Sequence, residues 1–368
     1  MKINKIVIAI AASITFSGTV LGGNPDRAGG AGGTQLLINP FGRSAGTMGS
    51  NTAYLRGSEA MQFNVGGLGF TPTMEIMAST VVYLQGTGVN LSNASLAVPM
   101  GETGENVLGI SVSAMQFGDI NITSQSQPDG TLGTYTPQFL NLGFAYARKF
   151  SNSIAAGILV RYVTEGLSNV TASGLCFDMG VQYQTALNPK NKIKKEDFRF
   201  GMSVRNLGSD LNYTGSGLSL KTNIPTTGGG SATRTTYFAG ENFNLPALVN
   251  IGVAYDIRLD KNENTYYHRL TPSGNFNYNA FAANMAIMGI EYSFKEMFMV
   301  RGGYGYQGTN TGAEFNTQYY GYSGGFSVQM PITKDGMNLG IDYAYAPTRV
   351  FNGIHNVTLR ITLGSKKN

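Results

Sequence analysis

Large apolar residues alternate with small or polar ones along three successive segments between positions 139 and 183. In FLNLGFAYARKF, Leu142 and Phe144 fall on one side of an extended chain, and Asn141 and Gly143 fall on the other. The segments IAAGILVRYVTE and ASGLCFDMGVQY repeat this pattern after short turns. A soluble sandwich would carry long charged side chains on its wet face. A small-residue face opposite a large apolar one is instead typical of a transmembrane β-barrel, which has a crowded lumen and an outer face in lipid.

Alternating segments recur to the C terminus, and their number sets the predicted fold. The sequence predicts an all-β, transmembrane antiparallel β-barrel of about 14 strands, of which 266–273 is the least well defined. The predicted strands are 74–84, 91–99, 106–118, 139–150, 154–165, 172–184, 197–207, 245–257, 266–273, 284–294, 297–307, 317–330, 337–347 and 354–363.

Connection lengths support this prediction, because outer-membrane barrels alternate short periplasmic turns with longer outer loops. The connections 151–153 and 295–296 are short, whereas 119–138 and 208–244 are long. The turn at 185–196 is an exception, since it is long for the periplasmic side. An even number of strands places both termini in the periplasm, so the predicted location is the bacterial outer membrane.

The N-terminal region precedes the first strand and divides into two parts. Residues 1–23 carry Lys2 and Lys5 before a short apolar run that ends in small residues, which indicates a secretory signal peptide. A single-pass anchor is the alternative, but the run is short and broken by Ser and Gly. Residues 24–72 are Gly-rich without sustained alternation, yet they contain Leu36 and Tyr54. These apolar residues favour a plug inside the barrel formed by residues 73–368 over a disordered leader.

Charged residues are few, at 13% of the chain, and many fall on the predicted inner faces of strands. Because both signs occur in near balance, we expect a salt-bridged network that fills the lumen, whereas a selective ion path would favour one sign. The predicted network comprises Arg161, Glu165, Asp178, Arg199, Arg205, Asp256, Glu291, Arg301, Asp342 and Arg360.

Composition argues against catalysis and against nucleic acid. The chain has two histidines, His268 and His355, and neither has a companion at metal-ligand spacing. No C-x-x-C, G-x-S-x-G or H-E-x-x-H motif occurs, and GGAGG lacks the Lys-Ser or Lys-Thr of a phosphate loop. The net charge of +5 is scattered along an exported chain. We therefore expect no enzyme, no metal, no cofactor and no nucleic-acid partner.

Two long loops carry aromatic residues in an uncharged polar setting, which suits recognition of a protein partner. The candidate anchors are Tyr135 in the loop 119–138, and Tyr213, Tyr237 and Phe238 in the connection 209–244. The alternative is a lid that packs on the barrel mouth, and the two roles are compatible.

Several stretches resemble a known family. QLLINPFGRSAGTMGS, FNVGGLGF and the run from GISVSAMQFGDINITS to GLCFDMGVQY resemble the PorV/PorQ family of Bacteroidota outer-membrane proteins, which are similar to FadL-type fourteen-stranded barrels. Asn39, Arg43 and Asn64 in these stretches are candidate plug residues. Relatives carry an Asn-Pro-Ala-Gly-Leu element where this chain has Asn64–Leu68 without the Pro, although Asn and Gly still suit a tight turn.

This resemblance implies a role in type IX protein secretion. Such barrels bind the C-terminal signal domain of exported cargo and the large translocon barrel at the cell surface, among outer-membrane lipids and lipopolysaccharide. Two alternatives remain. One is an accessory barrel of another outer-membrane complex, for barrel or surface-lipoprotein assembly. The other is a FadL-like transporter of hydrophobic small molecules. A transporter needs an apolar pocket, whereas the inner faces consist mostly of Gly, Ser, Asn and charged residues.

Overall fold

The computed structural model describes residues 27, 29–101, 104–130, 132–187, 196–225, 229, 231–260, 266–307, 319–333 and 336–364. The predicted signal peptide, residues 1–23, lies outside this part of the chain. None of the described helices is long and apolar enough to cross a membrane.

The described residues form fourteen long strands, each paired antiparallel with its neighbours in chain order. The ring closes where the first strand pairs with the last, with Ile76 opposite Ile361. The strands are β1 Glu75–Leu84, β2 Val89–Met100, β3 Asn106–Phe117, β4 Gln138–Lys149, β5 Ile154–Leu167, β6 Val170–Thr185, β7 Phe198–Gly208, β8 Leu248–Tyr255, β9 His268–Asn279, β10 Met285–Phe294, β11 Phe298–Gln307, β12 Tyr322–Pro331, β13 Asn338–Ala346 and β14 Ile354–Thr362. The predicted closed antiparallel barrel of 14 strands is confirmed.

Strand β9 is the element whose length the sequence predicted least well. The prediction ended at 273, but the strand continues to Asn279 and pairs with both β8 and β10. Its second half, SGNFNYN, contains Gly and three asparagines, which have low intrinsic strand propensity. Pairing on both sides overrides that propensity, because a closed barrel leaves no unpaired edge at this position.

The barrel has two different ends. The end that we call the turn end is where β1 begins, where β14 ends and where the strands joined by 101–105, 150–153, 186–197, 259–267, 295–297 and 332–337 meet. The opposite end, which we call the loop end, carries 85–88, 118–137, 168–169, 209–247, 280–284, 308–321 and 347–353.

The wall strands present the two faces that the alternation predicts. On β6, Phe177 and Met179 are exposed on the outside, whereas Cys176 and Asp178 between them are buried inside. On β4, Phe144 is exposed and its neighbour Ala145 is buried. The outer surface is therefore an apolar band, as a lipid-facing barrel requires.

Residues 29–73, which we call the hatch, lie inside the barrel against the inner wall. Most side chains from Asn51 to Thr71 are buried. The hatch contains the 3-10 helices Thr34–Leu37 and Val65–Phe70 and the short α-helices Gly42–Ala45 and Ala60–Phe63.

Wall glycines let the hatch backbone approach closely. A Cβ atom placed on Gly157 of β5 would lie 2.7 Å from the backbone oxygen of Val65 in the hatch. On β6, a Cβ atom at Gly180 would overlap the Asn64 side chain. The small residues on the inner faces of these strands are thus covered by the hatch rather than by solvent.

The loops add short elements at the loop end. Strands Ser219–Pro225 and Ser231–Tyr237 form a hairpin that pairs only with itself among the described residues. The remaining short elements are the strands Ile120–Asn121, Thr134–Tyr135, Leu211–Asn212, Asn242–Phe243 and Ile257–Arg258 and the 3-10 helix Ser216–Leu218.

Candidate functional site

All ten charged residues of the predicted lumen network are buried inside the barrel. Five wall strands bring one group together near the turn end. There Arg199 pairs with Asp256, Arg301 Nε lies 2.6 Å from Glu291 Oε2, and Arg269 Nη2 lies 2.9 Å from Glu291 Oε1. We call these five residues the ion-pair cluster. A buried charge is costly unless it is paired. Loss of one member of the cluster would therefore leave its partner on a neighbouring strand without compensation.

Arg269 was missed by sequence reasoning, although it is the link between the two acidic residues of the cluster. Its Nη1 lies 3.7 Å from Asp256 Oδ1, and its Nε lies 2.7 Å from Glu296 Oε1 in the following turn. It lies at the start of β9, the strand with the least clear alternation, so its inward orientation had no support from neighbouring residues.

The remaining predicted lumen charges form smaller groups. Arg161 Nη2 donates to Asp178 Oδ2 at 2.8 Å, and Arg360 Nη2 lies 3.7 Å from Asp342 Oδ1. Glu165 and Arg205 are buried and have mainly neutral partners, which are described below.

The predicted plug residues connect the hatch to the wall. Asn64 Nδ2 donates to the backbone oxygens of Thr52 at 3.2 Å and Val181 at 3.0 Å, and its Oδ1 accepts from Gly66 N at 3.1 Å. The hatch turn is therefore held by the Asn64 side chain, without the proline found in the resembling family. Arg43 Nε lies 3.9 Å from Glu291 Oε2 of the ion-pair cluster.

Asn39 connects the other part of the hatch. Its Oδ1 accepts from Phe41 N at 3.0 Å, and its backbone oxygen accepts from Asn356 Nδ2 of β14 at 2.7 Å.

A cavity of about 440 Å³ lies at the loop end between the hatch and strands β1–β4. We call it the wall cavity. Its lining is mostly apolar, and the rings of Phe117 and Phe139 meet edge to face at 4.7 Å between centroids. The lining residues are Thr34, Gln35, Leu37, Ile38, Tyr83, Leu84, Val89, Met115, Phe117, Phe139 and Tyr319.

A second cavity of about 590 Å³ lies on the other side of the same hatch segment. We call it the hatch cavity. Its polar lining comes from amide side chains and one guanidinium group, namely Asn39, Asn277, Asn279, Asn356, Gln307 and Arg205. Its apolar lining comes from Leu37, Ile38, Ala45, Met48, Phe63, Leu248, Ala283, Met285, Ile287, Ala346 and Ile354.

Residues 34–38, which we call the divider, separate the two cavities. The carbonyl of Leu36 accepts from Arg205 Nη2 at 3.2 Å and from Gln62 Nε2 at 3.3 Å. Gln35 Nε2 donates to Glu165 Oε1 at 3.0 Å. A four-residue 3-10 helix is thus fixed by side chains of β5, β7 and the hatch rather than by its own length.

The apolar lining corrects the expectation that the inner faces consist mostly of Gly, Ser, Asn and charged residues. On β3, the inner row runs from Gly109 and Ser111 in the middle of the strand to Met115 and Phe117 at the loop end. On this strand, the inner residues therefore become larger and less polar toward the loop end. This change along β3 is visible in the sequence. It predicts an apolar cavity only when the loop end of the barrel can be distinguished from the turn end.

The four predicted partner-binding residues lie in different settings. Tyr237 and Phe238, at the base of the hairpin, are 68% and 61% exposed. Tyr213 is instead half-buried: its hydroxyl donates to Glu165 Oε2 at 2.7 Å, and its ring packs against Phe243. Burial raises the pKa of the Tyr213 hydroxyl, and the Glu165 carboxylate raises it further. Tyr135 is half-buried and pairs with Ile120 in a short ladder.

Comparisons with known proteins identify the fold. No protein-family profile matches the sequence, and no curated protein matches it. The structure is similar to the Pseudomonas putida toluene transporter TodX, with a TM-score of 0.54 and 11% identity over 90% of this chain and 99% of that one. It is also similar to a Pseudomonas aeruginosa FadL homologue, with a TM-score of 0.51 and 10% identity over 89% and 98%. The chain therefore has the fold of FadL-type barrels.

Proposed function

We propose that this chain is an outer-membrane barrel that binds a hydrophobic small molecule at its loop end and takes it up past the hatch. The observation that carries this proposal is the wall cavity, an aromatic and aliphatic space that opens at the loop end. Ligand sites are typically concave and mostly apolar, with a few polar groups that fix orientation. The likeness in fold to a toluene transporter supports the same assignment. Of the functions considered from the sequence, the transporter alternative thus gains most support.

The test is uptake of radiolabelled naphthalene by cells that produce the barrel. Met115→Trp places a bulky indole ring in the wall cavity and reduces its volume. We expect this variant to reduce uptake several-fold. Val112→Trp is the matched control, since it adds the same ring to the lipid face of the same strand. Folded abundance is checked by heat-modifiable migration. Equal uptake by both variants and by the unchanged barrel would refute the proposal.

The orientation in the membrane is part of the same proposal: the loop end faces outward, both termini are periplasmic, and the apolar band contacts outer-membrane lipids. An epitope inserted at Gly229 should be reached by antibody on intact cells. An epitope within residues 190–195, a segment outside the described residues, should be reached only after permeabilisation. The reverse pattern of antibody access would show that the loop end, with its cavities, faces the periplasm.

A second proposal is protein docking at the hairpin, as the resemblance to type IX secretion barrels implies. The supporting observation is the exposure of Tyr237 and Phe238 beside a two-stranded ladder whose outer edges are unpaired among the described residues. Affinity purification from native membranes separates the candidates. Recovery of the large translocon barrel or secreted cargo supports this proposal, and recovery of only barrel- or lipoprotein-assembly subunits supports the accessory role.

The docking variant has to leave the fold intact. Tyr237→Ser with Phe238→Ser should abolish partner recovery while the barrel stays folded, because both side chains point away from the core. Tyr213 is left unchanged, since its loss would also remove the hydrogen bond to Glu165. Full partner recovery by the double variant would move any docking surface away from the hairpin.

A further inference from the structure

The hatch cavity presents unused hydrogen-bond donors. Three asparagines of its lining have their side-chain oxygens engaged: Asn39 Oδ1 accepts from Phe41 N, Asn277 Oδ1 from Asn275 Nδ2, and Asn279 Oδ1 from Phe281 N. Their Nδ2 groups donate to no described residue. The lining is therefore rich in N–H groups that lack an acceptor.

Arg205 adds a donor that is far more buried. The residue is 4% exposed, its Nη2 is engaged by the carbonyl of Leu36, and its guanidinium lies 5.4 Å from the centre of the Phe63 ring. Its Nε is buried and has no partner among the described residues. Because Nε has no surface open to the cavity, Arg205 contributes its positive charge to the lining, and the asparagines contribute the donors that a ligand can reach.

The local charge balance indicates what kind of acceptor fits. Five buried charged residues lie on β5, β6 and β7, and one of them, Arg199, pairs with Asp256 in the ion-pair cluster. The other four are Arg161, Arg205, Glu165 and Asp178. Two guanidinium groups and two carboxylates give a net charge of zero before any ligand enters. A ligand that carried its own charge would leave this buried set unbalanced, which is costly in a low-dielectric site.

The wall cavity defines the other end of the ligand. It shares Thr34, Leu37, Ile38 and Tyr319 with the hatch cavity, so a single molecule can extend from one to the other past the divider. Its aromatic and aliphatic lining suits a compact apolar body.

We infer that the ligand is an uncharged molecule with an apolar, ring-bearing body in the wall cavity and a hydrogen-bond acceptor, such as a ketone or ester carbonyl, in the hatch cavity. The asparagine Nδ2 groups of the hatch cavity are the donors that bind it. This inference rests on the function proposed above and narrows its substrate class.

The test uses three matched probes and the full-length barrel in lipid nanodiscs. Cyclohexyl phenyl ketone has the acceptor, (cyclohexylmethyl)benzene replaces the carbonyl by a methylene, and 4-cyclohexylbenzoate carries a charge. Equilibrium binding of tritiated probes is measured with empty nanodiscs subtracted. We expect the ketone to bind about tenfold tighter than the hydrocarbon, the size of one buried hydrogen bond. The carboxylate should bind more weakly than the ketone.

A substitution in the hatch cavity tests whether the preference for the ketone over the hydrocarbon depends on that cavity. Asn277→Leu removes one donor with little change in volume, and it should reduce the ketone preference by several-fold without weakening hydrocarbon binding. Tyr278→Leu, on the outer face of the same strand, should leave the preference intact.

The possible failures are distinguishable. If the ketone and the hydrocarbon bind equally well, the acceptor site is refuted and the proposed function stands. Tighter binding of the carboxylate would overturn the uncharged class. If none of the three probes binds, the proposed function fails as well.

Discussion

The turn half and the loop half of the lumen are built from the same alternating strands, yet their inner rows have opposite chemistry. Near the turn end, β7–β11 contribute Arg199, Asp256, Arg269, Glu291 and Arg301, which pair with one another. Near the loop end, β1–β4 contribute aromatic and aliphatic side chains around an open cavity. Both halves contact the same hatch. The difference shows that one barrel wall combines a filled, ion-paired region with a region that leaves an open cavity.

Removal of an acidic residue from the ion-pair cluster should have the largest effect on the stability of the barrel. Glu291 is 0% exposed and lies next to three guanidinium groups. Glu291→Leu should destabilise the barrel by about 3–5 kcal/mol, because it leaves buried cations without their partner. The measurement is the urea midpoint of heat-modifiable, folded protein. Ile290→Leu, on the lipid face of β10, is the control and should change the midpoint little. A midpoint unchanged by Glu291→Leu would show that the cluster carries no stability.

A second prediction tests the outer face that both halves share. Val160→Arg places a cation on the lipid side of β5, near the middle of the strand. Such a change costs about 2–4 kcal/mol at the bilayer midplane, so assembly should be impaired. Val160→Leu serves as the control. Normal assembly of the arginine variant would mean that the assigned faces are reversed.

A third prediction concerns the seam between hatch and wall. Gly157→Ala would place a methyl group 2.7 Å from the backbone oxygen of Val65 in the hatch. Overpacking of this kind costs about 1–3 kcal/mol. Limited proteolysis should therefore cut the hatch faster in this variant. Gly302→Ala has its nearest atom at 3.9 Å, and equal cleavage of the two variants would argue against close hatch packing.

The smallest expected effect lies above the loop half. Tyr213→Phe removes the hydroxyl that donates to Glu165, and hydrogen bonds to charged groups contribute about 1.5–3 kcal/mol when buried. Because Tyr213 is only half-buried, we expect about 1 kcal/mol, seen as faster hydrogen exchange in residues 209–215. Tyr237→Phe should have no effect. If Tyr213→Phe matched that control, the loop would not be fixed to the wall through Glu165.

Much of the wall could be predicted from the sequence, because strict alternation is a local property of each strand. Phe177 and Asp178 reveal their faces through their neighbours alone. Arg269 could not be placed in this way, since β9 alternates weakly and its direction depends on pairing with β8 and β10. The wall cavity was also missed, because it depends on which inner residues the hatch leaves uncovered.

The loop residues show the same limit. Tyr213 and Tyr237 occupy the same long connection, and both are aromatic residues in a polar setting. Leu211 packs against the wall, and this contact brings Tyr213 to the buried carboxylate of Glu165. Tyr237 lies farther along the connection and faces solvent. No local pattern distinguishes them, since the contact that separates them joins Tyr213 to a residue 48 positions away.

The divider gives the molecule an unusual route to new specificity. Thr34, Leu37 and Ile38 of the divider line both cavities. The wall around them takes its stability from strand pairing and from ion pairs elsewhere. Substitutions at the outward-leaning Thr34 and Leu37 would reshape both compartments together and leave the barrel scaffold untouched. A lineage, or an engineer, can therefore change the shape of both cavities by editing a segment shorter than two helical turns.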